Sequence, residues 1–255
     1  MFGPLAHLKD TRENKYALQL SLYRKMLESD AYGLKVDGCV LARLGADGGP
    51  NVQVLETPYF DQEAGALLGD ALTLPEPALE GDDDRDQRIT FDEASHQYRV
   101  KTSDGTWKVV PKSVTGLVSL YAPPFVPDAV IARMKKGRGW NPGHKYWGMT
   151  DAEIKAAWKA TAVLGTSVHN KIDSFYKQPA PGTNAADVHD GFQTFHMWAA
   201  DQGLDPVRSE WPVHCGLVAG TIDMVYKKQN GAHFIVDWKV TDTPFAGSNF
   251  GVPLR

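Results

Sequence analysis

The 255-residue chain holds only two cysteines, no long apolar run and no nucleotide-binding P-loop pattern. Two thiols cannot furnish the four ligands of an iron–sulfur cluster or of a structural zinc site. Cys39 and Cys215 each sit in an apolar, strand-like stretch, which reads as reduced core packing. No stretch approaches the roughly 18 apolar residues of a membrane span, and Met1-Phe2-Gly3-Pro4 opens no basic-then-apolar secretory signal. A soluble, cytoplasmic protein with no membrane partner is therefore expected. Without G-x-x-x-x-G-K-[ST] there is no ATP motor in this chain, and no internal repeat is visible. What remains, at 42% hydrophobic and 23% charged residues, is one globular domain or at most two small ones.

Net charge is also scarce, at −4. The segment from 80 to 93 (EGDDDRDQRITFDE) carries seven acids and two bases, a local −5 that leaves the rest of the chain at +1. The bulk of the fold is thus neutral, and small basic groups, Lys135-Lys136-Gly137-Arg138 and Lys227-Lys228, could face DNA, though such clusters are more often solvated surface. Within the acidic run, Asp82, Asp84, Asp86 and Glu93 mimic a calcium-binding EF-hand loop. Gln87 stands where that loop needs glycine, and the preceding prolines forbid an entering helix.

Residues 13–29 lack Gly and Pro and predict a helix. Val36–Leu44 predicts a strand ending at the turn Gly45–Gly49, with Asn51–Glu56 as its hairpin partner and a short helix near 61–71. Residues 72–88 have linker composition. Ile89–Val100 and Trp107–Val110 read as a second hairpin joined by Thr102-Ser103-Asp104-Gly105, after which helices dominate to 203. Thr150 with Glu153 forms a capping box that starts a helix running to about Tyr176, stopped by Gln178-Pro179-Ala180-Pro181-Gly182, and another helix spans roughly 187–202. Three strands close the pattern: Ser209–Leu217, Gly220–Lys227 and Ala232–Val240, the last pair separated by Asn230-Gly231.

Chemistry concentrates in Gly220-Thr221-Ile222-Asp223 and Ile235-Val236-Asp237-Trp238-Lys239. In a strand, residues two apart share a face, so Asp237 and Lys239 project together while Trp238 points away. With Asp223 on the neighbouring strand, two carboxylates converge beside one lysine, a hard-oxygen site suited to Mg²⁺ or Mn²⁺ and to phosphodiester hydrolysis. An isolated D-x-K is ordinarily a strand-end ion pair. Here it terminates the apolar run Phe234–Val236, where burying charge is costly unless it binds something. His169 and Asp173, four apart, share one face of the helix that begins at Thr150, and Gln19 and Tyr23 share a face of the first helix.

Taken together, these residues resemble the PD-(D/E)XK nuclease superfamily, in particular its RecB-type and phage-exonuclease branch. That branch carries a G-x-x-x-H helix, a G-x-x-D strand, a D/E-x-K strand and a Q-x-x-x-Y helix. The corresponding residues are Gly165 with His169, Gly220 with Asp223, Asp237 with Lys239, and Gln19 with Tyr23. Ile89–Val114 also looks like the opening of the viral members. The order departs from the family, because the Q-x-x-x-Y helix comes first here. A circular permutation accounts for this, with 89–255 the amino-terminal part of the core, 1–71 its carboxy-terminal part and 72–88 joining the old ends. The resemblance implies an α/β, restriction-endonuclease-like core with a central mixed sheet flanked by helices.

It further implies a Mg²⁺- or Mn²⁺-dependent deoxyribonuclease of the phage-exonuclease type, acting in the host cytoplasm if phage-encoded. The alternatives are a structure-specific endonuclease or junction resolvase on the same fold, or a DNA-binding module that does not cleave. His169, Asp223, Asp237 and the Trp238 carbonyl would bind metal, Lys239 would be catalytic with the two aspartates, Gln19 and Tyr23 would position DNA, and Asp173 would stand behind them. DNA is the implied partner, with a single-strand annealing or binding protein as a candidate second one.

The permuted order requires that Met1 and Arg255 lie close together, with the first helix beside the Ala232–Val240 strand. A shared site also constrains the hairpin. A two-residue turn at Asn230-Gly231 would oppose Asp223 to Trp238 and split the aspartates between faces. The connection is therefore expected to be the three residues Gln229-Asn230-Gly231 with Gly231 left-handed, or to be compensated by one bulge farther along.

Overall fold

A computed structural model describes residues 1–45, 52–69, 87–102, 104–177, 190–202, 205–241, 245 and 249–250. Most of the 72–88 linker, Asp82, Asp84 and Asp86 of the EF-hand-like run, most of the Gly45–Gly49 turn, the Gln178–Gly182 helix stop and Arg255 lie outside these residues, and with Arg255 the expected approach of the chain ends.

After a single 3-10 turn at Gly3–Leu5, α1 (Arg12–Leu27) starts where the Thr11 hydroxyl accepts the Asn14 N–H. The strands β1 (Val36–Leu44) and β2 (Gln53–Glu56) form the expected hairpin, followed by α2 (Asp61–Leu68). A separate antiparallel sheet comprises β3 (Ile89–Asp92), β4 (Gln97–Lys101) and β5 (Trp107–Val109). The stretch expected as one strand from Ile89 to Val100 is thus folded into a hairpin of its own. Its turn has no Gly or Pro signal; the Asp92 carboxylate accepts the Ser95 N–H and His96 takes a left-handed φ of 54°.

Next come β6 (Lys112–Ser113), α3 (Val114–Leu120), α4 (Pro127–Lys136), α5 (Asp151–Lys177) and α6 (Asp190–Gln202). The capping box of α5 forms as expected: Glu153 accepts the Thr150 N–H and Thr150 accepts the Glu153 N–H. Then follow β7 (Asp205–Cys215), β8 (Val218–Lys227), β9 (His233–Val240) and a short β10 (Asn249–Phe250).

Among the described residues the main sheet has seven strands and is mixed: β1 runs parallel to β9 and β6 parallel to β8, while the other pairings are antiparallel. The fold is α/β, with helices on both faces of this sheet. Alternation divides the core accordingly. Cys39, Leu41, Val225 and Ile235 face α1, α2 and α3, whereas Val40, Ala42, Met224, Val236 and Trp238 face α5 and α6. Both cysteines are free and buried. Among the described residues no helix is long and apolar enough to cross a membrane.

The pairing around β8 is irregular. β7 runs along the whole of one edge of β8, while the other edge is divided: β9 pairs with Met224–Lys227 and β6 with Val218–Ala219. Among the described residues, the intervening Gly220–Asp223 have no strand beside them on that edge.

Candidate active site

The β8–β9 hairpin sets the register of the two aspartates. Lys228 N–H donates to the Ala232 carbonyl, Gly231 N–H donates to the Lys228 carbonyl, and Gly231 has a φ of 84°, so the connection is the three-residue Gln229-Asn230-Gly231 with a left-handed glycine. Pairing then runs from Lys227↔His233 to Met224↔Val236, and one step farther in the same register Asp223 stands across from Asp237. There the ladder passes from backbone to side chain: Trp238 N–H donates to Asp223 Oδ2 at 2.8 Å. Trp238 itself turns to the opposite face, edge-on to Phe195 and Trp198.

Asp237 is 4% exposed, and Lys239 Nζ lies 2.6 Å from its Oδ2 and 4.7 Å from the centre of the Tyr16 ring. Burial, reinforced by the charge of Asp223, pushes the Asp237 carboxyl up to about 6 despite the lysine. Burial likewise raises Asp223 against the opposing pull of His169 and Lys239. For Lys239, burial favours the neutral amine, but Asp237, Asp223 and Tyr16 outweigh it and the ammonium is held firmly protonated.

His169 reaches this group from α5. Its Nε2 lies 3.0 Å from the Trp238 carbonyl, and its Nδ1 lies 3.4 Å from Glu210 Oε1 and 3.6 Å from Asp223 Oδ2. Burial pulls the imidazole down, but Asp223 and Glu210 together overcome it and raise His169 to about 9. Both ring nitrogens therefore act as donors, and the imidazolium supplies positive charge among the acids. The Trp238 peptide is gripped at both ends, its N–H by Asp223 and its carbonyl by His169.

Glu210 is a member of the cluster that no sequence motif singles out. It interrupts β7 with a φ of 41°, and the β7–β8 register, Ser209↔Met224 and Trp211↔Ile222, leaves it facing Asp223. The pairing of Cys215 with Val218 makes Gly216-Leu217 a two-residue turn, and that turn, recognised in the sequence, would have placed Glu210 opposite Asp223. Asp173 does not join the cluster. Its carboxylate accepts the Ser209 hydroxyl at 2.7 Å and pairs with Lys177 at 2.9 Å, bracing the residue next to Glu210.

From the other end of the chain, α1 packs across β1 and β9, as expected for the first helix. Tyr23, 3% exposed, accepts a hydrogen bond from Gln19 and lies within the fields of Tyr98, Asp223 and Asp237. It rests directly on Gly220, where an added Cβ would fall 2.6 Å from Tyr23 Cε1. Glycine is therefore required at 220 by close approach. Gly165 differs: a Cβ there meets nothing within 4 Å. Tyr16 and Tyr98 border the site without any sequence signal to mark them, Tyr98 by a 3.0 Å hydroxyl contact with Thr221.

His169, Glu210 and Asp223 offer one nitrogen and two carboxylate oxygens within 4.8 Å of one another. Hard oxygen donors with one imidazole suit Mg²⁺ or Mn²⁺, so these residues fit a divalent cation, with the Trp238 carbonyl and Asp237 at the border of the same space. Comparison with protein-family models, with curated proteins and with solved structures finds no match for the chain.

Proposed function

We propose that this chain is a divalent-cation-dependent deoxyribonuclease of the PD-(D/E)XK type, a phage-type exonuclease on a restriction-endonuclease-like core in permuted order. The observation that carries this reading is the convergence of Asp223, Asp237 and Lys239 on one face of β8 and β9, beside His169 and Glu210. Three buried or half-buried acids around one lysine and one imidazolium oppose one another electrostatically, an arrangement that is costly without a ligand and useful with a cation. The permutation is supported by the parallel pairing of β1 with β9, which sets the helix of Gln19 and Tyr23 over the motif strands.

In this reading His169, giving up a ring proton as the cation binds, would hold it together with Glu210 and Asp223, with Asp237 and the Trp238 carbonyl completing its surroundings. A cation bound there would supply a water of lowered pKa and neutralise charge on the phosphate. Lys239, fixed by Asp237 and kept charged, directs its ammonium toward the attacked phosphate and the entering water. Tyr23, held by Gln19 and packed on Gly220, closes the space beside the acids from below rather than touching the strand itself.

The test compares linear, circular and branched DNA with Mn²⁺ and with chelator. Cation-dependent loss of linear DNA with circular DNA intact is the expected result. Selective cutting of branched DNA selects a resolvase instead, and binding without cleavage on every substrate overturns the enzyme reading.

A further inference from the structure

The stretch joining α4 to α5 is the most basic in the chain. Residues 133–148 carry five lysines and arginines and no acid, within a protein whose net charge is −4. Lys135 is neutralised by Asp151, but Arg133, Lys136 and Arg138 are exposed and in no ion pair among the described residues. Aromatic rings are interleaved with them: Trp140 lies 5.6 Å from Trp147, and Tyr146 lies 6.4 Å from Trp158. Trp147 is 45% exposed and Phe125, which abuts Trp158, is 69% exposed. Successive backbone turns, His144 to Asn141, Trp147 to His144 and Met149 to Tyr146, hold the rings in place without regular structure.

α5 fixes the distance from this cluster to the acids. No residue from 155 to 167 is buried, so half the helix stands clear of the sheet. Trp158 and His169 are eleven positions apart, three full turns, which puts them on one helix face about 16 Å apart along the axis. Gly165 lies between them, with open space where a side chain would be.

We infer that the α4–α5 connection is a binding platform for single-stranded DNA, stacking unpaired bases on Trp147 and its neighbours while Lys136 and Arg138 contact phosphates, and leading the strand along α5 to His169. The inference rests on the nuclease reading for the strand's destination. Base faces in a duplex are already stacked and cannot meet an exposed ring, whereas an unpaired base can. The net basic surround, with Asp151 taken up by Lys135, complements a phosphate backbone, and the exposed rings offer stacking faces that unpaired bases use and an acidic protein surface does not.

The test is fluorescence anisotropy of labelled oligothymidylate on the full chain in chelator, where no hydrolysis intervenes. Trp147→Leu and Trp147→Ala should each weaken binding about ten-fold, Trp147→Phe should stay near wild type, and affinity for a blunt duplex should not move. Lys136→Gln with Arg138→Gln should lower the slope of log affinity against log salt by about 1.4. Thermal unfolding of each variant checks the fold, and Leu retains apolar bulk where Ala does not. Equal affinity in wild type and both Trp147 truncations, or an equal loss on blunt duplex, overturns the platform. Absence of hydrolysis by the wild type with Trp147-dependent oligothymidylate binding intact overturns the nuclease reading and leaves the platform standing.

Discussion

Gly220→Ala isolates the contact between the two ends of the chain. The added Cβ would lie 2.6 Å from both Cε1 and Oη of Tyr23 and 3.0 Å from Cζ, where carbon contacts ordinarily settle at about 3.5–4.0 Å. The ring has little room to yield, because Tyr23 is 3% exposed and tied to Gln19. Such overpacking costs about 1–3 kcal/mol, which for a domain of this size lowers the melting temperature by about 2–12 °C. Gly220 has no positive φ, so alanine is otherwise welcome in this strand and would stabilise by about 0.4–1 kcal/mol through the unfolded chain. The sign must therefore depend on Tyr23. Melting in chelator of wild type, Gly220→Ala, Tyr23→Leu and the double variant should show alanine destabilising with tyrosine present and neutral or stabilising with leucine. A melting temperature raised by Gly220→Ala in the wild-type background would refute the reasoning, and with it the placement of Tyr23 on the site.

Lys239→Ala leaves Asp237 buried beside Asp223 without its ammonium and should cost about 3–5 kcal/mol in chelator at pH 8 as well as cleavage, so an unchanged guanidinium midpoint counts against the pair. Asp237→Asn should instead alter the pH profile. A carboxyl raised from 3.8 to about 6 contributes stability that is fully present below pH 3.8 and lost as pH rises through 6. Relative to wild type, the asparagine variant should gain on the order of 3 kcal/mol between pH 4 and pH 8 in chelator, and a difference that does not vary with pH would contradict this. Glu210→Gln should weaken Mn²⁺ binding by calorimetry about as much as Asp223→Asn does, at least ten-fold. An unchanged affinity removes Glu210 from the cation site.

The strands that build the site are legible in the sequence because their composition is unambiguous. Val36–Leu44, Gly220–Lys227 and Ala232–Val240 are β-branched and apolar runs cut by glycine turns, and their bounds differ from the structure by at most two residues. The requirement that two aspartates share a face is enough to select the connection at Gly231 over a two-residue turn. What stays hidden depends on tertiary placement. Glu210 is one acid among many until β7 pairs with β8 and its left-handed backbone turns it toward His169. Tyr98 belongs to another sheet and reaches the site through its contact with Thr221. The turn from Glu93 to His96 carries no Gly or Pro, so nothing in the sequence announces that Ile89–Val100 doubles back.

The pairing of β1 with β9 joins Leu41 to Asp237, and Arg43 reaches the Thr241 carbonyl across 198 positions. A ribosome makes β1 well before β9. At about 5–20 residues per second, β1 and the apolar face of α1 wait roughly 10–40 s for their neighbour. Through that interval Leu18, Leu22 and Leu41, fully buried in the finished molecule, lack the strand that completes their cover, which makes the nascent chain a natural client for holding chaperones. The same order of synthesis means that no nascent chain ending before Lys239 has the acid–lysine pair, which forms as β9 enters between β1 and β8, both already made.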